Sequence, residues 1–298
     1  MSAIASAVDP RLKSVLVATD FSEASQKPLR HALAIARHYG AKLYLAHVVS
    51  SLGFTLAGAD ALNAATAAAK RDAHHLETRL VESGALAGLQ HEFIIGQGAV
   101  WEVLNQVIRQ KQVDLIVSGT HGRRGLQKMV LGSVAEQIFR YADCMVFTVG
   151  PGSYHESRVD DSVPNRAFLF PTDFTEASLH ALPYAMTFAN QFGAKLVLLH
   201  VVHTTAKPKS YLYRASLQRL EELTLNSTLK VRPQIVVEYC STGPISEKIL
   251  ETAENLKVDL IIMGLRRSTH VGAASHVPWA TAYEVVCGAG CPVVTARR

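Results

Sequence analysis

The residues best suited to chemistry form the run SGTHGRRGLQKMVLGS at 118–133. Gly119, Gly122, Gly132 and Ser133 give a G-x2-G-x9-G-S spacing, in a stretch that leaves a short apolar run and enters an amphipathic one. Gly119 and Gly122 let the backbone turn tightly and bring amide groups close to an anion. Gly132 and Ser133 stand where a helix begins, and its free amides and positive dipole end favour negative charge. The chemistry this suits is phosphate binding; a Gly-rich crossover loop needed only for packing is the other reading. With glycine at roughly 7% and serine similar, such a four-point pattern arises by chance in under about one per cent of such chains. Neither G-x4-G-K-[ST] nor G-x-G-x-x-G occurs, which excludes a Walker A loop and argues against a standard dinucleotide site. Two other features end apolar runs: Asp20, with Thr19, after SVLVA, and Val48, after His47, in AKLYLAHVV. In open α/β sheets ligands bind beyond the carboxyl ends of strands, so these points and the glycine run belong to one candidate site.

Other chemistry is weakly supported. His74 and His75 are adjacent, so on a helix they point about 100° apart and cannot readily share a metal. With no H-E-x-x-H or C-x2-C pair, no metal site is expected. His47 and His200 hold equivalent strand ends, which suggests packing or hydrogen bonding. Cys287 and Cys291 could form a redox pair, yet Cys144 and Cys291 also match between the two halves and read as small buried hydrophobes. No nucleophile–base pair stands out and no carboxylate is placed to activate water, so no catalytic residue is expected and any hydrolysis would be slow. The Ala-rich segment 57–70, with Lys70, Arg71 and Arg79, reads as a solvated helix or a partner surface.

The elements that position these residues occur twice. LVATDFSEAS at 16–25 returns as LFPTDFTEAS at 169–178, YGAKLYLAHVV as FGAKLVLLHVV, and QVDLIVSG as KVDLIIMG. Asp173 and His200 lie 153 positions after Asp20 and His47, whereas Asp259 and Gly264 lie 145 after Asp114 and Gly119, so the first copy carries eight extra residues between His47 and Gly98. The Ala-rich stretch is their expected place. Cys291 lies 147 after Cys144, so the second copy gains two residues after Gly264. Each copy alternates apolar runs with amphipathic ones, the latter at about 60–82, 99–111 and 133–141 in the first copy. This predicts a parallel sheet covered by helices. Ser22 can cap the first helix, Pro28 predicts a late start or a kink, and Gly40 suits its C-terminal stop. The turn-rich stretch 150–166 reads as a linker, giving domains at 1–157 and 158–298. The whole chain, 298 residues with 48% hydrophobic and 18% charged, suits two packed domains and excludes intrinsic disorder. The net charge of +5 is scattered, so no nucleic-acid partner is expected. No run of about 18 apolar residues and no secretory signal is found, and four cysteines cannot make a disulfide framework, so the expected setting is cytoplasmic.

The DFSEAS opening, the HVV strand end and the G-x2-G-x9-G-S loop together resemble the universal stress protein family, and the DFTEAS copy makes the chain similar to a tandem two-domain member. The resemblance implies two flavodoxin-like or Rossmann-like domains of the adenine nucleotide alpha hydrolase-like kind, each a five-stranded parallel sheet flanked by helices. It implies that a domain with an intact loop binds ATP, with magnesium accompanying the nucleotide. By position, Asp20 and Val48 would serve the adenine and ribose, and Gly119, Gly122, Gly132, Ser133 and Val134 the phosphates. Thr120 and His121 sit within that loop, with Arg123, Arg124 and Lys128 placed to reach phosphate. Asp20 and Asp173 could each take a ribose hydroxyl or a divalent ion, or cap the next helix. The second copy keeps Asp173, Val201 and Gly264, but Arg267 replaces the second loop glycine, and Trp279 and Ala280 align with Gly132 and Ser133. An indole there would fill the pocket, so one ATP site per chain is expected, with the second domain kept for pairing or recognition. The implied function is that of a nucleotide-gated regulator with an unknown protein partner; the alternatives are a weak ATPase and a scaffold. Domains packed as a pseudo-dimer, and a homodimer of chains, are implied by the resemblance alone.

Overall fold

The computed structural model describes residues 12–54, 57–120, 130–150, 166–204, 210–225, 227, 229–266 and 280–297. These fall into two compact units, one on either side of the 151–165 segment. The expected boundary between 157 and 158 lies outside the described residues.

The first unit runs β1 (Ser14–Ala18), α1 (Gln26–Tyr39), β2 (Lys42–Ser50), α2 (Gly58–Glu82), β3 (His91–Gly98), α3 (Val100–Gln110), β4 (Leu115–Gly119), α4 (Ser133–Tyr141) and β5 (Met145–Val149). Its strands lie in the order β3-β2-β1-β4-β5, all paired in parallel. The second unit repeats the plan with β6 (Ala167–Pro171), α5 (Glu176–His180), α6 (Leu182–Gln191), β7 (Lys195–His203), α7 (Ser210–Glu222), β8 (Gln234–Cys240), α8 (Ile245–Asn255), β9 (Leu260–Leu265), α9 (Ala280–Gly288) and β10 (Val293–Arg297). Its order is β8-β7-β6-β9-β10, again parallel. Each unit is thus a Rossmann-like α/β fold, as the alternation of runs predicts.

The strands are apolar on both faces because helices cover both. Leu16, Tyr44, Ala46, Ile116 and Val146 form one face of the first sheet, packed on Leu104 and Ile108 of α3 and Ile138 of α4. Side chains alternate along a strand, so Phe147, beside Val146, points to the other face, where His31 of α1 meets it with ring centroids 5.3 Å apart. The chain leaves β1 toward one edge and β4 toward the other. The carboxyl ends of these neighbouring strands therefore flank the switch point where such sheets hold ligands.

Local signals explain the helix ends. A short 3-10 turn at Glu23–Ser25 precedes α1, which puts Pro28 in the first helical turn, where its missing N–H costs nothing. Gly40 closes α1 in the left-handed region at φ 63°. The length difference between the copies proves to have two parts. Leu45 pairs with Phe93 and Leu198 with Ile235, so β3 and β8 are 142 positions apart, against 153 for β2 and β7. The first copy is therefore eleven residues longer before its third strand, mostly in α2, which has 25 residues against 13 in α7. The second copy regains three between β8 and α8, leaving the net eight that the sequence shows.

Several titratable groups serve this framework. Asp114 Oδ2 accepts from the backbone N–H groups of Lys13 at 2.7 Å and Ser14 at 3.0 Å, and Asp259 Oδ2 accepts from Ala167 N at 3.0 Å. Both carboxylates sit at the amino ends of strands, far from the switch point. Burial pushes the Cys144 and Cys291 thiols up to about 12, so they stay protonated; Cys291 is buried and Cys144 half-buried against the core. His31 is buried, its Nδ1 has no hydrogen-bond partner among the described residues, and burial lowers its pKa to about 4, with the charge of Lys27 adding to the effect. A depressed folded pKa stabilises the fold above the unfolded value near 6.5 and loses that contribution as pH falls. We expect the first unit to lose roughly 2 kcal/mol by pH 5 through this group. A His31→Phe chain should show a flatter decline in urea midpoint between pH 7 and pH 5, and parallel declines would remove His31 as the cause.

Candidate functional site

The site residues come from three strand ends and one helix start. After β1 the backbone turns sharply: Phe21 takes φ 60°, a left-handed conformation uncommon for a bulky residue, while its N–H donates to Thr19 Oγ1 at 3.0 Å. This turn brings Asp20 back over the start of the next helix. Asp20 Oδ1 accepts from Ser22 N at 3.0 Å, Ser22 Oγ at 2.5 Å and Ser25 Oγ at 2.6 Å. Ser22 therefore does not cap the helix with its side chain; it spends its proton on Asp20. Three donors on one oxygen fix the carboxylate's orientation at the strand end.

His47 supports the same turn from β2. Its Nδ1 lies 2.8 Å from Thr19 O, and its ring meets Phe21 with centroids 4.7 Å apart. The expected structural role of His47 and His200 holds in both copies, since His200 Nδ1 lies 2.8 Å from Thr172 O and its ring 4.5 Å from Phe174. One residue on from His47, Val48 packs with Ala18 and Val134 on the cluster built from Leu16, Tyr44 and Leu104. Two expected site residues, Val48 and Val134, thus share one half-buried apolar shelf beside Asp20's strand.

Gly119 ends β4, and Thr120 after it is buried at 1% exposure, its N–H donating to Val149 O at 3.1 Å. Thr120 O accepts from Gly132 N at 2.7 Å. The chain therefore departs at Thr120 and returns at Gly132 to the same point, and α4 starts there. Gly132 is the N-cap of α4, in extended conformation and with no side chain to close the helix end. Glu136 in the first turn is held by Arg140 at 2.6 Å, which offsets its charge. His121, Gly122, Arg123, Arg124 and Lys128 lie outside the described residues, as do Arg267 and Trp279.

The second unit has the same frame with altered contacts. Asp173 Oδ1 accepts only from Thr175 among the contacts seen, at 2.9 Å from its N and 2.7 Å from its Oγ1, while Ser178 donates to Thr172 Oγ1 instead. Burial, followed by the charge of Arg219, lowers the pKa of His200. Beyond the strand ends lies a pocket of about 310 Å³, walled by Val201, Ile245, Ile249 and Met263, with Asp173, Gly264 and Thr281 at its polar side. Among the described residues no cluster of His, Cys, Asp and Glu could hold a metal, and no helix is long and apolar enough to cross a membrane.

The sequence missed the roles of Ser22, Ser25 and Phe21. The available signal was the repeat itself, since D-F-[ST]-E-A-S keeps Ser25 and Ser178 at equivalent places.

Comparison with known proteins follows the same two units. The model of the universal stress protein family matches residues 11–150 and again 164–297. Universal stress protein MJ0531 of Methanocaldococcus jannaschii is 28% identical over 138 residues, covering 46% of this chain and 81% of that protein. Universal stress protein YxiE of Bacillus subtilis is 32% identical over 144 residues, covering 45% of this chain and 97% of that protein. The crystal structure of a universal stress protein from Archaeoglobus fulgidus matches with a TM-score of 0.72 at 21% identity, covering 96% of this chain and 99% of that one.

Proposed function

The chain belongs to the universal stress protein family, and on that premise we propose that its first domain binds ATP and that occupancy regulates an association with a protein partner. One observation carries this reading: the 2.7 Å bond between Gly132 N and Thr120 O, which draws the mouth of the glycine loop and the start of α4 together at the end of β4. Amides of a helix start whose N-cap is a glycine suit a phosphate chain. The apolar shelf of Ala18, Val48 and Val134 suits a planar base, and Asp20, held by its three donors, suits the ribose. The described donors fit the nucleotide; magnesium would ride on its phosphates. ATP supplies charge and shape at the helix start, and the chain supplies orientation. The second domain, whose loop departs from the pattern, serves as a recognition element.

Calorimetric titration of the whole chain with ATP and magnesium, with phosphate release followed in the same sample, tests this. The expected result is one site per chain without steady turnover. No heat at millimolar ATP would overturn the reading, and sustained phosphate release would replace regulation with hydrolysis.

A further inference from the structure

On the opposite face of the first sheet from the nucleotide shelf, α1 and α2 enclose a cleft of about 250 Å³. Its floor is apolar, formed by Phe21, Leu29 and Leu76, while Asp72, His75 and Arg79 project along one face of α2 at spacings of three and four residues. No hydrogen bond or ion pair joins the Arg79 guanidinium or the His75 ring to another described residue. Asp72 lies two helical turns from Arg79, about 10 Å along the axis, so one end of the cleft is positive and the other negative. The second unit shows what closes such a surface: Arg219 of α7 lies 4.1 Å over the ring of Phe174, the counterpart of Phe21. In the first unit no cation among the described residues lies over Phe21.

We propose that this cleft is a second ligand site, taking a small organic monoanion whose head meets Arg79 and His75 and whose apolar body covers Phe21, Leu29 and Leu76. Asp72 selects against a second negative charge. Ser22 and Ser25 also line the cleft, and each hydroxyl has a single proton, which it gives to Asp20 Oδ1. An anion in the cleft competes for those protons, so its binding loosens Asp20 and weakens ATP at the site proposed above; only this coupling rests on that reading.

Benzoate serves as the probe, with inorganic phosphate beside it, on the whole chain with labelled leucine methyl groups. Benzoate should shift the Leu29 and Leu76 signals saturably. Arg79→Ala should weaken it about tenfold and Asp72→Asn should tighten it. ATP affinity should fall severalfold in saturating benzoate, with the reciprocal effect of ATP on benzoate. Unmoved Leu29 and Leu76 signals, or equal affinity in the Arg79→Ala chain, would overturn the site. Stronger saturation by phosphate than by benzoate would overturn the ligand class, and unchanged ATP affinity would overturn the coupling. Failure of ATP to bind at all would sink the nucleotide reading while leaving the benzoate result to stand on its own.

Discussion

Asp20→Ala is expected to weaken ATP binding about a hundredfold, or about 2.7 kcal/mol, while leaving the chain folded. The substitution removes the carboxylate proposed for the ribose and also the acceptor for Ser22 N, Ser22 Oγ and Ser25 Oγ. Ser22 is half-buried, and the buried Ser25 Oγ also reaches Ser22 O at 3.1 Å, so the stability cost should stay at about 1 kcal/mol, small beside the affinity loss. Asp20→Asn keeps one acceptor oxygen for the serines and should fall between the two. The decisive control is Asp173→Ala, which alters the equivalent strand end of the second domain and should leave both affinity and stoichiometry unchanged. Isothermal titration of the three variants reads all of this. An Asp20→Ala chain that binds within twofold of the parent would remove Asp20 from the site, and a fall with Asp173→Ala would move the ligand to the second domain.

Gly264→Val should cost the second domain more than about 3 kcal/mol. A Cβ at this position would stand 2.0 Å from Ala177 O and 2.6 Å from Ser178 O, both backbone atoms of α5 that no rotamer change can move. The helix start would have to lift off β9. Hydrogen exchange should show lost protection across the second unit's strands, with the first unit's strands unaffected; equal protection would mean that the backbone shifts cheaply. The result also bears on the loop glycines. Gly119 is the counterpart of Gly264, and the second copy keeps its glycine although the rest of its loop pattern has gone. Close helix approach accounts for that retention, so the first glycine of the spacing identifies the fold, and Gly132 with its helix start is the better mark of an anion site.

Much of this was legible in the residues. Two copies of an alternating pattern, with central strands apolar on both faces, require helices on both faces, and the parallel order follows. Helix ends at Pro28 and Gly40 followed from φ restrictions that are local. Less legible was anything set by side-chain direction. Ser22 reads as a helix cap because it precedes a helix, but the positive φ of Phe21 turns Asp20 toward it and reverses the roles. Likewise, sequence spacing reported a net difference of eight residues and could not separate eleven in one loop from three returned in another, since only strand pairing fixes register. The α1–α2 cleft had no linear signature, because its walls lie about fifty residues apart.

The position of β1 also governs the order in which the chain can acquire its structure. Val15, Leu16 and Val17 pair with β2 on one side, but on the other with Leu115, Ile116 and Val117, a hundred residues later. During synthesis the most apolar strand of the first half thus waits with an open edge until β4 emerges, and the second half repeats the delay. Contacts of such sequence separation form slowly, and unpaired apolar edges invite association with other chains. A chain interrupted shortly before residue 115 would expose that edge permanently, so premature termination there should yield aggregate rather than a small folded fragment.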